Sequence, residues 1–139
     1  MSTGFESLSS IPLFANLSGR QLRKILRSAN ESRYEAGDVI VREGGRTQTL
    51  FVILDGTAKV VRNERVIRRP SAGEFFGEIS MIDGRRRTAS VIAETAMRCV
   101  VLHNDDLRTL AIGDPKMAWC LLQTLAGRLR DDEDRPTTP

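Results

Sequence analysis

The sequence predicts an α+β chain in which an antiparallel β-roll, a jelly-roll-like barrel, is flanked by N-terminal and C-terminal helices. Three observations predict it. Between residues 34 and 102, short runs rich in Val and Ile alternate with turn residues at regular spacing, the pattern of many short antiparallel strands. On either side of that region the apolar period changes from two to three and four, which is helical. With 139 residues the chain has room for about one hydrophobic core.

Residues 1–10 are small and polar and read as a flexible arm. In the following stretch Leu13, Phe14, Leu17, Leu22, Ile25, Leu26 and Ala29 recur at three and four, with Ser18 placed as an N-cap, so short helices are expected. The strand runs are 39–41, 50–54, 58–61, 66–67, 89–92 and 99–102. Between them lie Gly37-Asp38, Gly44-Gly45, Asp55-Gly56, Asn63-Glu64 and Gly73, with Gly37, Gly44 and Gly56 suited to corners of positive φ. After the strands, Asn104 or Asp105 can cap a turn or two through Leu110, and Asp114-Pro115 pairs a capping residue with a proline at the first helical position. The helix so opened carries Ala118, Leu121, Leu122, Leu125, Ala126 and Leu129 as one apolar stripe. The acidic run Asp131, Asp132, Glu133 and Asp134 then begins a tail over 131–139 expected to be disordered, which leaves 11–130 as the folded domain.

Composition narrows the function classes. No run of eighteen apolar residues appears and Met1-Ser2-Thr3-Gly4 has no charged-then-apolar pattern, so a cytoplasmic protein with no membrane segment is expected. Cys99 and Cys120 sit in apolar runs and read as buried thiols. The net charge of +3 is mild, and a run such as Arg85-Arg86-Arg87 is usually a solvated face, so nucleic acid is not the expected partner. His103 is the single histidine, which leaves no metal set and no nucleophile-base pair. Glu78 and Asp83 are two carboxylates in one loop where a hydrolytic pair could be imagined, and neither is taken as catalytic; no enzyme is expected.

The chemistry concentrates in residues 75–91, FFGEISMIDGRRRTASV. Gly77 allows close approach of the backbone to a ligand, and the amides from Glu78 through Ser80 would open a short helical turn with unpaired donors. Arg87 adds a planar two-pronged donor for phosphate oxygens and Thr88 a hydroxyl beside it. Glu78 accepts only, which suits a sugar hydroxyl. Such a set is a cradle for a sugar phosphate; the plainer alternative makes Arg87 a surface arginine paired with Glu78.

At these residues the sequence resembles the cyclic-nucleotide-binding domain family, the sensor domain of catabolite-activator-type regulators, kinase regulatory subunits and cyclic-nucleotide-gated channels. Phe76-Gly77-Glu78-Ile79-Ser80 and Arg87-Thr88-Ala89-Ser90-Val91 follow its phosphate-binding cassette, and Ala36-Gly37-Asp38-Val39-Ile40, Arg42-Glu43-Gly44 and Leu54-Asp55-Gly56 follow its earlier signatures. The resemblance runs from about Leu13 to Arg130. It implies that Arg87 binds the equatorial oxygen of a cyclic phosphate, that Glu78 holds the ribose 2′-hydroxyl, and that Gly77, Ile79, Ser80 and Ala89 supply amides. Val60 falls where a strand residue packs on the purine, with a plain core valine equally open. Arg128 resembles the C-terminal-helix arginine that closes over the base, with a solvated helix arginine as the alternative. Thr88 keeps cGMP in play beside cAMP, whereas nothing in the pattern requires Arg85 or Arg86.

The sequence departs from the pattern at Arg68, Arg69 and Pro70, where aliphatic residues would line the base pocket, and this bears on base selectivity. The function implied is that of a stand-alone cyclic-nucleotide sensor with cAMP as the first ligand. It would signal through movement of the C-terminal helix and an unidentified protein partner, with a homodimer through that helix left open. The alternative is an interaction module that keeps the fold without the ligand.

Overall fold

The structure is a computed structural model that describes Phe14 and residues 17–133; the arm expected over 1–10 and the tail beyond 133 lie outside the described residues. Among these, helix α1 (Gly19–Ser28) precedes eight strands: β1 (Asn30–Tyr34), β2 (Val39–Val41), β3 (Thr49–Asp55), β4 (Ala58–Arg62), β5 (Arg65–Arg68), β6 (Phe75–Phe76), β7 (Ser90–Ala93) and β8 (Met97–His103). A short helix α2 (Glu78–Asp83) interrupts them after β6, and α3 (Asn104–Gly113) and α4 (Pro115–Glu133) follow. The strands form two antiparallel four-stranded sheets, ordered β1-β8-β3-β6 and β2-β7-β4-β5. This is the expected β-roll between flanking helices.

Strand periodicity divides the core in two. Successive side chains of a strand point to opposite faces. In β3 and β8, Leu50, Val52, Val100 and Leu102 therefore face the helices, where they pack with Leu22 and Ile25 of α1, Leu107 of α3 and Met117 of α4. Their neighbours Phe51, Ile53, Met97 and Cys99 face the other way and meet Val41, Val60, Phe76 and Val91 between the sheets. Phe51 and Phe76 stack with ring centroids 4.8 Å apart. Burial pushes the Cys99 thiol up to about 12, so this free cysteine is an apolar filler rather than a nucleophile. Cys120 is half-buried.

The helix ends follow local chemistry, with one correction. Ser18 Oγ accepts from Gln21 N at 3.2 Å while Gln21 Oε1 accepts from Ser18 N at 2.7 Å, a reciprocal cap on α1. Asp114 Oδ1 likewise accepts from the amides of Lys116 (3.2 Å) and Met117 (3.3 Å) ahead of α4. For α3, however, the N-cap is His103, without a side-chain cap bond, and the expected caps Asn104 and Asp105 lie inside the first turn. Asn104 spends its side chain on Gln48 Oε1 (2.8 Å) instead, and the acidic first turn suits the helix dipole. Gly56 sits at φ +94, and a Cβ there would lie 2.3 Å from Ala96 O, so this corner admits no larger residue.

Two strands carried no signal in the sequence. β1 is the edge strand NESRY, largely exposed and paired only with β8, so it lacks the apolar alternation that marks a half-buried strand. β6 has two residues, too few for any period, and is held against Phe51 and Val52 of β3. The stripe expected on α4 also divides: Leu121 packs on the core, while Leu122 and Leu129 are exposed, as is Trp119 outside the stripe. The helix itself continues through Glu133, past the boundary expected at 130. No helix among the described residues is long and apolar enough to cross a membrane.

Candidate functional site

The site is built where β6 runs into α2. Gly77 stands at that junction with φ +89, and a Cβ on it would lie 2.6 Å from Thr49 O and 2.9 Å from Arg87 Nη1. Only glycine lets the chain turn this closely over β3. The turn leaves Glu78, Ile79 and Ser80 as the opening residues of α2, which Gly84 closes at φ +71 by donating its amide to Ser80 O at 2.9 Å.

Arg87 lies beneath this turn and is 5% exposed. Its Nη1 donates to Gly77 O at 2.8 Å, its Nη2 to Thr49 O at 2.8 Å and Thr49 Oγ1 at 3.2 Å, and its Nε to Thr47 Oγ1 at 3.1 Å. Its own main chain is clamped as well, with its amide donating to Gly45 O at 2.8 Å and its carbonyl accepting from Gly44 N at 2.9 Å. Burial lowers the Arg87 pKa from its ordinary value, and the nearby Glu78 charge opposes that shift. The alternative of a surface arginine paired with Glu78 is thereby corrected: the guanidinium is buried, and it is fastened to main-chain carbonyls.

Glu78 is paired differently. It is 5% exposed, and its Oε2 accepts from Nη1 of Arg128 on α4. Arg128 Nη2 donates to Phe75 O, and its guanidinium carbon sits 4.0 Å above the Phe75 ring centroid. The alternative of a solvated Arg128 is corrected too, because the side chain is folded onto the β6–α2 junction.

Above Arg87 and Gly77 opens a hollow of about 370 Å³. Its lining is mixed: Gly77, Glu78, Ser80, Arg87 and Thr88 are polar or present main chain, Val41, Val60, Ile67 and Val91 are apolar, and Arg62 and Arg68 lie on the same strands as Val60 and Ile67. Of the residues expected at a ligand from the sequence, Gly77, Glu78, Ile79, Ser80, Arg87, Thr88, Ala89 and Val60 all line this one hollow. Arg128 does not line it and reaches it only through Glu78. The sequence reading missed Arg62 at the rim, and Thr47 and Thr49, which hold Arg87 from behind. Arg68, singled out as a departure, also lines the hollow. Pro70 lies beyond the end of β5, and its carbonyl accepts from Ala58 N at 3.0 Å, so the missing donor costs the ladder nothing.

A hollow lined by both aliphatic side chains and cationic, amide-bearing groups suits a flat apolar ring joined to an anion. The comparison with known sequences agrees. The model of the cyclic nucleotide-binding domain matches residues 31–114. The chain belongs to the cyclic-nucleotide-binding domain family. It is 35% identical over 111 residues to a cGMP-dependent protein kinase of Drosophila melanogaster, isozyme 2 forms cD5/T2, covering 74% of this chain and 12% of that protein. It is 31% identical over 124 residues to a cyclic nucleotide-gated potassium channel of Mesorhizobium japonicum, covering 89% of this chain and 34% of the channel. Among solved structures, a cyclic nucleotide-binding domain of Methylobacillus flagellatus superposes with a TM-score of 0.81 at 31% identity, over 94% of this chain and 78% of that one. The chain thus spans about a third or less of the two larger relatives.

The hydrogen bonds of Arg87 make it structural as well as a candidate ligand. Arg87→Ala strands the buried carbonyls of Gly77 and Thr49, so it is expected to lower unfolding free energy by about 3 kcal/mol in urea titration. A variant as stable as the parent would mean these bonds contribute nothing.

Proposed function

We propose that this domain binds a purine 3′,5′-cyclic nucleotide in the hollow and reports its occupancy through α4. The observation that carries the reading is the convergence of Gly77, Glu78, Arg87 and Thr88 on one cavity that Val41, Val60, Ile67 and Val91 also line. The cyclic phosphate docks on the α2 amides and the one Nη1–H of Arg87 not committed to Gly77, Thr47 or Thr49, the ribose 2′-hydroxyl donates to Glu78, and the purine lies against Val60. Its role is recognition rather than catalysis, and the signal passes to a protein partner.

The finer question is the base. The sequence points first to cAMP. A specific feature favours guanine: Arg62 and Arg68 line the hollow together with Thr88, and a guanidinium is the side-chain group suited to the O6 and N7 acceptors of guanine, whereas adenine presents a donor at the same edge.

Glu78 gives the binding event a route to the helix. One of its oxygens is held by Arg128, so a ribose hydroxyl that draws Glu78 toward the cavity competes with the contact fixing α4. Ligand can shift the helix only through such a difference in contacts. The exposed Trp119, Leu122, Ala126 and Leu129, spaced three and four along α4, support a second copy of the chain as a further packing partner.

Titration calorimetry with both nucleotides tests the reading. Binding is expected, weakened at least tenfold in Arg87→Lys because an ammonium with three donors cannot hold Gly77, Thr47 and Thr49 together and still meet the phosphate. Arg68→Ala is expected to reduce any preference for cGMP. Affinity unchanged in Arg87→Lys would remove that residue from the phosphate site. Trp119 is the only tryptophan and lies on α4, so its fluorescence reports the helix. Nucleotide is expected to change that emission in the parent and to leave it unchanged in Arg128→Ala, while an equal response in both would break the proposed link. Sedimentation equilibrium is expected to show a concentration-dependent dimer that Leu122→Lys abolishes; a monomer at all concentrations would exclude the second copy.

A further inference from the structure

A second hollow, of about 750 Å³, borders the first at Thr88, which lines both. Its charged walls are Arg46, Arg85 and Arg86, with Asp83 as the one carboxylate. All three arginines are exposed, and none forms an ion pair with a described residue. Several others on the surface are matched: Arg33 with Glu31, Arg69 with Glu94, and Arg98 with Glu31 and Asp55. Asp83 forms no ion pair with any of the three; its Oδ1 accepts from the main-chain amide of Arg85 at 2.8 Å, and its single charge leaves the hollow two positive charges in excess.

The floor under these charges is fixed. Gln48 Nε2 donates to Gly84 O at 3.2 Å, Asn104 in turn holds Gln48, and the main chain of Arg87 exchanges bonds with Gly44 and Gly45. Arg86 Nη1 donates to Gly44 O at 3.1 Å, which leaves the rest of its fork to the outside. Three unmatched cations on a pre-set rim repel one another and attract an extended anion at little ordering cost.

We propose that this hollow docks a carboxylate-rich segment of a partner protein. Planar guanidinia match carboxylates in pairs of parallel hydrogen bonds. No aromatic side chain lines the hollow, so bases have no stacking platform, and the charge is confined to one depression rather than drawn out along a backbone track. The site lies on the loop that carries Arg87 and Thr88, so a docked segment and a nucleotide would grip opposite sides of one strip of chain. Docking does not depend on the nucleotide reading and is measured without nucleotide.

The experiment is fluorescence anisotropy of a labelled hexaglutamate peptide titrated with the full chain at low and physiological salt. Binding is expected, weakened at least tenfold in Arg46→Ala/Arg85→Ala/Arg86→Ala and unchanged in Arg33→Ala/Arg69→Ala, with thermal melts confirming that each variant is folded. Should the triple variant fail to fold, each single variant is expected to lose about two- to fivefold. Equal binding by parent and arginine variants overturns the proposal. So does a single-stranded oligonucleotide of equal charge that binds more tightly than the peptide, or self-association of the chain that the triple variant abolishes.

Discussion

A buried guanidinium cannot be left unsatisfied, and Arg87 meets that requirement by donating to the carbonyls of Gly77 and Thr49 and to the hydroxyls of Thr47 and Thr49. Much follows from this one cation. It ties the end of β6 to β3, holds the glycine turn that opens α2, and anchors the loop leading into β7. Gly77 must be glycine because β3 passes too close for a side chain, and β3 passes that close because Arg87 draws the two segments together. The floor of the hollow beside it is held by the protein's own hydrogen bonds, which is what pre-organisation means in physical terms.

The second level of the architecture is the pairing of Glu78 with Arg128. It joins residues fifty positions apart and brings the last long helix onto the same β6–α2 junction that Arg87 supports from below. Arg87 and Arg128 therefore divide the work, one fixing the cavity and the other connecting it to α4. The divided face of that helix fits this arrangement. Met117 and Leu121 bind it to the core near its start, Arg128 binds it further along, and the opposite face presents Trp119, Leu122 and Leu129 to solvent.

The barrel and its helices were readable in the sequence wherever burial imposes a period. β3 and β8 alternate because each face meets a different core, and Ser18 and Asp114 announce their helices because their caps are local. β1 and β6 were not readable: the first is polar and paired on one side only, and the second exists because β3 holds it. Eight of the nine residues expected at the candidate site line one cavity, and all of these but Val60 fall in two short segments of the stretch 75–91. What sequence could not convey was the company each charge keeps. Arg87 and Glu78 are close in the chain, yet each has another principal partner, Thr49 with Gly77 for the one and Arg128 for the other. Those choices depend on contacts thirty-eight and fifty residues away.

The most direct measurement of the central claim is a ¹⁵N NMR titration that follows the Arg87 Nε–H and the main-chain amides of Glu78, Ile79 and Ser80 as cyclic nucleotide is added. The account predicts that these four signals move together and saturate at one equivalent, while amides of β1, at the opposite edge of the sheet that β6 borders, stay in place. If the Arg87 and α2 signals hold still under saturating nucleotide while signals elsewhere move, the cation beneath Gly77 belongs to the fold alone and the ligand site lies in another part of the molecule.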